Sequence, residues 1–230
     1  MNYKKAVLDS QKELKIISKD NDFILTKAKY GPSKLTKIPF CLDENLAFFV
    51  AAIIGDGHLK KSKLQISIEL TDKKLLSFLK IICQNIFDRD FNIRSIKIRE
   101  GRKPSFAMVI DSKSIYNFLR DVFEIPSGKK SHLVKIPEFI KNSNQNIKIY
   151  FLKGIMATEG GKRRRGYGLS TASLVLWKDL ITLFEEVGIP VLRDKWIYQK
   201  YKKEYYGISF KEEYMKKLKW ECRSGQTGDA

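Results

Sequence analysis

Apolar residues recur along this chain with two different periods, and the order in which those periods alternate predicts the architecture. Asp43 suits a helix N-cap, and the segment ENLAFFVAAIIGDG reads as an apolar helix that stops at Gly57, where a left-handed C-terminal residue is expected. In KSKLQISIEL the period falls to two. Leu64, Ile66, Ile68 and Leu70 share one face and Lys63, Gln65, Ser67 and Glu69 the other, as in a half-buried strand. Helical spacing returns from Asp72 to Phe87 through Leu75, Leu76, Leu79, Ile82, Cys83 and Ile86. NIRSIKIR and SFAMVID then flank EGRKP, with Gly101 in its turn, as hairpin strands would, and Ser112 to Phe123 reads as a further helix.

Residues 124–144 contain Pro126, Gly128 and Pro137 and read as a linker, after which the pattern repeats. Asn146 to Gly160 is an apolar helix, KRRRGYGLSTAS a polar strand, and Leu174 to Val187 an amphipathic helix. VLRDKWIYQ and YYGISF flank a lysine-rich turn, and Lys211 to Trp220 reads as a closing helix. From Asp56, the landmarks Asp72, Gly101 and Ser112 lie 16, 45 and 56 residues on; from Glu159, Ser173, Lys202 and Lys211 lie 14, 43 and 52 residues on. Two helix–strand–helix–hairpin–helix units of such similar length predict a pseudo-twofold α+β molecule. The expected division is a basic extension over 1–42, ending in GPSKLTKIP with Gly31 and Pro32; a first half over 43–123; the linker; a second half over 145–220; and a disordered tail over 221–230.

Charge narrows the partner. Against 26 acidic residues stand 44 lysines and arginines, a formal charge of +18, and such a field draws in polyanions and releases their counterions. Double-stranded DNA, whose strands are themselves related by twofold axes, suits a symmetric reader; a basic protein that merely coats RNA is the plainer alternative. Cys41, Cys83 and Cys222 form no C-x-x-C pair, so neither a disulfide framework nor a zinc knuckle is expected, and the setting reads as intracellular and reducing. MNYKKAVLDSQKELKII has no apolar core of a signal peptide. No apolar run approaches the ~20 residues that span a bilayer, so a soluble, non-exported protein without membrane contact is expected.

Candidate chemistry sits at two helix ends. FVAAIIGDG and LKGIMATEG each finish with a small residue, an acid and a glycine. Ala51, Ala52 and Gly55 in one, and Gly154 and Ala157 in the other, fall on single faces that allow two backbones to approach closely. Packed side by side and parallel, the helices would bring Asp56 and Glu159 together. Each carboxylate would then meet the negative end of a helix dipole, a penalty of about 0.3–1 kcal/mol, as well as the other carboxylate. A cation should compensate, and Mg²⁺, which takes carboxylate and phosphate oxygens while keeping several waters, fits that position. Taken singly, either acid-glycine pair reads as an ordinary turn; the repeat register favours the pair.

These two segments resemble the two copies of the motif that names the LAGLIDADG homing endonucleases, in their single-chain double-motif form, and the resemblance covers roughly residues 43–220. It implies αββαββα halves joined at the motif helices, two antiparallel saddle-shaped sheets over DNA, and metal-dependent cleavage of both strands of a long site with short 3′ overhangs. Asp56 and Glu159 occupy the motif's metal-binding eighth position, with the adjoining Gly55 and Thr158 as further metal positions. Phe49, Val50, Ala52, Lys153, Met156 and Thr158 depart from the motif, and Ile54 and Ala157 stand where the sixth position carries an acid. Lys162 and Lys130 resemble the family's supporting catalytic lysines, a role that competes with phosphate contact or simple solvation. Mg²⁺ is the implied cofactor, with Mn²⁺ expected to substitute and Ca²⁺ to be non-productive.

Outward strand parity proposes Lys63, Gln65, Ser67, Glu69, Lys97, Arg99, Arg163, Arg165, Ser170, Arg193, Lys195 and Gln199 as DNA contacts, some to base edges and some to phosphates. His58 reads as a turn or DNA contact. Trp177, Trp196, Tyr198, Tyr205 and Tyr206 read as core or apolar sheet surface, which ranks single-strand stacking low. Other roles on the same scaffold are an RNA maturase acting on intron RNA and a noncatalytic DNA-binding regulator; retention of both acids argues against the latter. An intein would need a nucleophile at residue 1 and a His-Asn end. Met1 and Gly228-Asp229-Ala230 supply neither, so a freestanding monomer is expected.

Overall fold

A computed structural model describes residues 2–30, 34–96, 104–163, 166–199 and 202–220. Lys97, Arg99, Gly101, Arg165 and the segment 221–230 with Cys222 lie outside the described residues, as do Gly31 and Pro32. The N-terminal segment is not the appendage its lysines suggest. Helix α1 (Tyr3–Ser10) leads into an antiparallel sheet of β1 (Lys15–Lys19), β2 (Phe23–Lys27) and β3 (Thr36–Pro39), in that order. Val7, Ile24 and Ile38 are fully buried in the same core as the residues that follow. Gln11 Nε2 donates to Ser114 O at 3.1 Å and Thr26 Oγ1 to Ser114 Oγ at 2.9 Å. Nine lysines in forty residues conceal this short apolar set, because their stems lie on the solvent side.

The first repeat runs α2 (Glu44–Gly55), β4 (Gly57–Lys60), β5 (Gln65–Leu70), α3 (Lys73–Phe87), β6 (Ile93–Ile96), β7 (Ser105–Asp111) and α4 (Lys113–Asn117), whose last turn widens to a π-helix over Phe118–Val122. Its helix starts are written in the sequence: Asp43, Asp72 and Ser112 accept from the backbone N–H of Leu46, Leu75 and Ile115 at 2.8, 3.1 and 3.3 Å. The one strand expected over KSKLQISIEL is instead the second arm of a hairpin. Lys63 lies in a 3-10 turn and Leu64 reverses the chain at φ +48°, so Lys63 is not on a strand face. Ile66 and Ile68 are buried as their parity predicts.

The stretch 124–144 is more than a tether. It carries α5 (Glu138–Lys141) and buries Ile125, Val134, Ile136 and Ile140. The second repeat follows as α6 (Gln145–Thr158), β8 (Gly161–Arg163), β9 (Gly166–Thr171), α7 (Leu174–Glu186), β10 (Leu192–Tyr198), β11 (Lys203–Phe210) and α8 (Met215–Leu218). Asn144 and Ser173 cap α6 and α7. The closing helix expected over Lys211–Trp220 is shorter, a 3-10 turn at Glu212–Tyr214 before α8. Strand order is β4-β5-β7-β6 in one four-stranded antiparallel sheet and β8-β9-β11-β10 in the other, the same arrangement twice.

Between the halves lie α2 and α6, in close contact. A Cβ placed on Gly154 would stand 2.5 Å from Phe48 O and 2.7 Å from Ala51 Cβ, so α6 brings its backbone directly against α2. From Leu46 to Ile54 every residue of α2 is buried.

Candidate active site

Both acids occupy the C-cap of their helix with nearly identical backbones: Asp56 at φ −94°, ψ −3° and Glu159 at φ −100°, ψ −12°. Asp56 N–H donates to Ala52 O at 3.1 Å and Glu159 N–H to Ile155 O at 2.8 Å. A Cβ on Gly55 would lie 3.1 Å from Thr158 Cβ and 3.2 Å from Glu159 Cγ, so the residue preceding Asp56 packs against Thr158 and Glu159 across the interface. Gly57, expected in the left-handed region, is not among the described glycines with positive φ. Its role is spatial. A Cβ there would come within 2.6 Å of Ile53 Cα, because β4 leaves the helix end at once.

The side chain that organises this end is Lys130. Its ammonium donates to Ile53 O and Ile54 O at 2.6 Å and to Gly55 O at 2.7 Å, engaging three carbonyls that the end of a helix leaves without partners. Burial lowers Lys130 to about 8, opposed by the charges of Glu159 and Asp56. The carboxyls move the other way. Burial raises Asp56 against the pull of Lys130; burial first and Asp56 second raise Glu159, again against Lys130. Part of the positive charge expected from a metal at the end of α2 is therefore supplied by the chain. The end of α6 has no such lysine among the described residues. There Thr158 Oγ1 donates back into its own helix, to Gly154 O at 3.1 Å and Ile155 O at 3.3 Å, and Gly160 N–H donates to Met156 O at 3.1 Å. Lys130→Met would strip the α2 carbonyls of their donor and lower stability by about 1.5–3 kcal/mol, as measured by denaturant unfolding.

Two carboxylates against one ammonium leave a net negative charge, made of hard oxygens. Among the described residues no group of three or more His, Cys, Asp and Glu side chains could enclose a metal. An ion here would thus rest on Asp56 and Glu159, with water or phosphate completing the shell, the pattern that Mg²⁺ favours. Thr158 borders this position through Gly55. A cavity of about 220 Å³ opens beside Glu159 and Gly55, walled by Lys130, His132, Lys203 and Tyr205. Sequence parity passed over Lys203, which opens β11; counting back from the buried Phe210 would have placed it outward.

Cross-strand pairing sorts the other candidates. Gln65, Ser67 and Glu69 pair with Asp111, Val109 and Ala107, on the face opposite the buried Ile66 and Ile68, together with His58. Gln65 Nε2 donates to Asp111 Oδ1 at 2.5 Å and Ser105 Oγ to Glu69 Oε1 at 2.6 Å. In the second sheet Ser170 pairs with Gly207 and Arg163 with Gly166, also on the outer face, where Arg163 Nη2 donates to Ser170 Oγ at 3.4 Å. Arg193 and Lys195 do not join them. They pair with the buried Ile208 and Tyr206, on the helix side, where Arg193 meets Glu185 of α7 at 2.6 Å and Lys195 meets Glu204 at 3.0 Å. Both faces of β10 are exposed, so charge alone misassigned its parity. Gln199 lies beyond the strand, in the turn. Lys162 is exposed on β8, on the face of Tyr167, and among the described residues forms no ion pair with either acid.

Two like-ordered antiparallel sheets on either side of a close helix pair form a fold shared with a solved homing endonuclease. In particular, the fold matches I-DmoI in complex with DNA and Mn with a TM-score of 0.55 at 14% identity, over 79% of this chain and 100% of that one. Mesophilic variants of I-DmoI match at 0.54 and 15% identity, over 76% and 92%. Full-length DUF199/WhiA from Thermatoga maritima matches at 0.52 and 11% identity, over 76% and 55%. No family model matches the sequence. Among curated proteins, the replication factor C small subunit of Methanocaldococcus jannaschii is 30% identical over 167 residues, 72% of this chain and 9% of that protein. The probable translation initiation factor IF-2 of the same organism is 24% identical over 186 residues, 77% and 15%. An A-type ATP synthase subunit of Pyrococcus abyssi is 31% identical over 127 residues, 55% and 12%. The chain thus spans no more than 15% of the length of these relatives. Among the described residues no helix is long and apolar enough to cross a membrane.

Proposed function

We propose that this chain is a site-specific, divalent-metal-dependent endonuclease that cuts both strands of a long DNA duplex with short 3′ overhangs. The carrying observation is the contact between two equivalent helix ends, each presenting one carboxylate, between two equivalent sheets of a chain with formal charge +18. Support comes from the fold shared with I-DmoI, whose solved forms include complexes with DNA and Mn or Ca. Three proteins with unrelated names each contain a similar stretch as a small part of their length, as expected of a module that travels between hosts.

In this reading Asp56 and Glu159 hold the metal, Gly55 lets them approach, and the outer sheet faces hold the duplex. When bound, the ion lowers the pKa of a coordinated water and offsets charge on the leaving 3′ oxygen. Lys130 fixes the end of α2 through its three carbonyls, so its effect on the reaction runs through the position of Asp56. Lys162 is the cation for a scissile phosphate. I-DmoI structures with target DNA include variants replaced at a glutamate and at a lysine three residues beyond it, the spacing of Glu159 and Lys162 here. Lys162→Ala should slow cleavage at saturating DNA by tenfold or more if it stabilises the transition state; a change confined to affinity would reduce it to a phosphate contact.

The deciding experiment incubates a randomised duplex library with Mg²⁺ and sequences the cut ends. Recovery of one long site with 3′ overhangs supports the proposal, with Mn²⁺ also active and Ca²⁺ giving binding without cutting. Binding with no cut in any of the three ions would sink it and favour a noncatalytic DNA binder, while selective retention of intron RNA would favour a maturase. A pH effect follows from the raised carboxyls. A raised carboxyl is still partly protonated where an ordinary one is ionised, so protons compete with the ion sooner as pH falls. Mn²⁺ affinity measured by calorimetry should begin to weaken above the usual carboxylate range.

A further inference from the structure

Building on the DNA-binding reading, we propose that the outer face of the β10–β11 hairpin reads thymine methyl groups in the major groove of one half-site. The register places Leu192, Asp194, Trp196 and Tyr198 on the face of Ser170, since Asp194 pairs with Gly207 and Gly207 with Ser170. Three of the four are large and open to solvent, Leu192 at 59%, Trp196 at 39% and Tyr198 at 46% exposure. They form a built surface. A Cβ on Gly207 would lie 2.9 Å from Trp196 Cζ3, so the indole lies over that glycine, and its ring stacks on Tyr205 with centroids 6.1 Å apart and planes 16° from parallel.

Charge selects the occupant. Arg163 on the same face and Lys203 at the start of β11 flank the patch, and a second copy of a chain with charge +18 would bring like charges together there. A polyanion is favoured instead. Within a duplex the apolar feature that a sheet face can reach is the 5-methyl group of thymine in the major groove. Splayed single-strand bases fit less well, because Trp196 already stacks on Tyr205 and packs against Gly207. Asp194 points the same way: it repels phosphate but accepts from base amino groups, so base edges belong over this patch. The counterpart hairpin of the first sheet, β6–β7, carries Arg94, Ile96, Ser105, Ala107 and Val109 on that face and no aromatic side chain among the described residues, so the two half-sites should differ.

The test uses the full chain. Duplexes are selected from a randomised library in Ca²⁺, and the thymines of each half-site in the winning sequence are replaced in turn by deoxyuridine. The expected result is weaker binding, by about fourfold for each contacted methyl removed, in one half-site only. Trp196→Ala and Leu192→Ser, both at exposed positions and checked for native circular dichroism, should bind the thymine and uracil duplexes equally. Equal binding of both duplexes by the unaltered chain would overturn the proposal, as would undiminished discrimination in both variants. So would a dimer in sedimentation that Trp196→Ala dissolves, since the patch would then be a contact between two copies. Failure to recover any duplex would overturn the DNA-binding reading itself, and this inference with it.

Discussion

Asp56→Asn and Glu159→Gln are each expected to reduce double-strand cleavage by at least about a hundredfold while leaving duplex binding in Ca²⁺ intact or slightly tighter. Each change keeps the shape of the side chain and its C-cap backbone bonds, and removes one of the two charges that would hold a divalent ion. Neither acid forms a salt bridge among the described residues, so the fold should not depend on the charge. Burial already disfavours each carboxylate, which offsets the lost attraction to Lys130, so stability should change little. Affinity for a polyanion should gain from the lost negative charge. Cleavage of a matched duplex, followed by gel resolution of nicked and linear products, measures the effect; full cutting by either variant would sink the assignment of the metal site.

Gly154→Val is expected to destabilise the chain by about 3 kcal/mol or more, seen as a lowered urea midpoint. Ordinarily a glycine in a helix interior gains stability on substitution, because the unfolded chain loses freedom. Here the new Cβ would meet Phe48 O at 2.5 Å and Ala51 Cβ at 2.7 Å, and a carbonyl inside α2 cannot swing aside as a side chain could. The helices would have to separate, carrying Asp56 away from Glu159, so activity should fall with stability. A neutral or stabilising outcome would mean that the close crossing does not hold in solution.

Much of this architecture was legible in the sequence because local chemistry wrote it there. Asp43, Asp72, Ser112 and Ser173 mark the starts of four helices through short side-chain oxygens, while Asn144, read as the end of the linker, caps a fifth; the small-acid-glycine endings mark two helix ends that do meet. Features set by distant partners were hidden. Nothing near Lys130 announces that its ammonium will settle on carbonyls more than 70 residues earlier. The N-terminal sheet was masked by its lysines, with only Val7, Ile24 and Ile38 to betray it. On β10 neither face is fully covered, so LRDKWIY lacks the alternation that fixed β5. Reading outward from its charges put Arg193 and Lys195 on the wrong side.

The grip of Lys130 on Ile53, Ile54 and Gly55 also defines where this molecule can be divided. By its sequence the junction between 124 and 144 is a seam for exchanging halves between relatives, yet its early part belongs to the first half by hydrogen bonding. Gly128 N–H donates to Leu59 O at 2.9 Å, just before the lysine that caps α2. A chimera joined before Gly128 would inherit a foreign residue as the cap of its own first motif helix. One joined at Asn142 or Ser143, just ahead of the Asn144 cap of α6, would carry the whole clasp with the helix it secures.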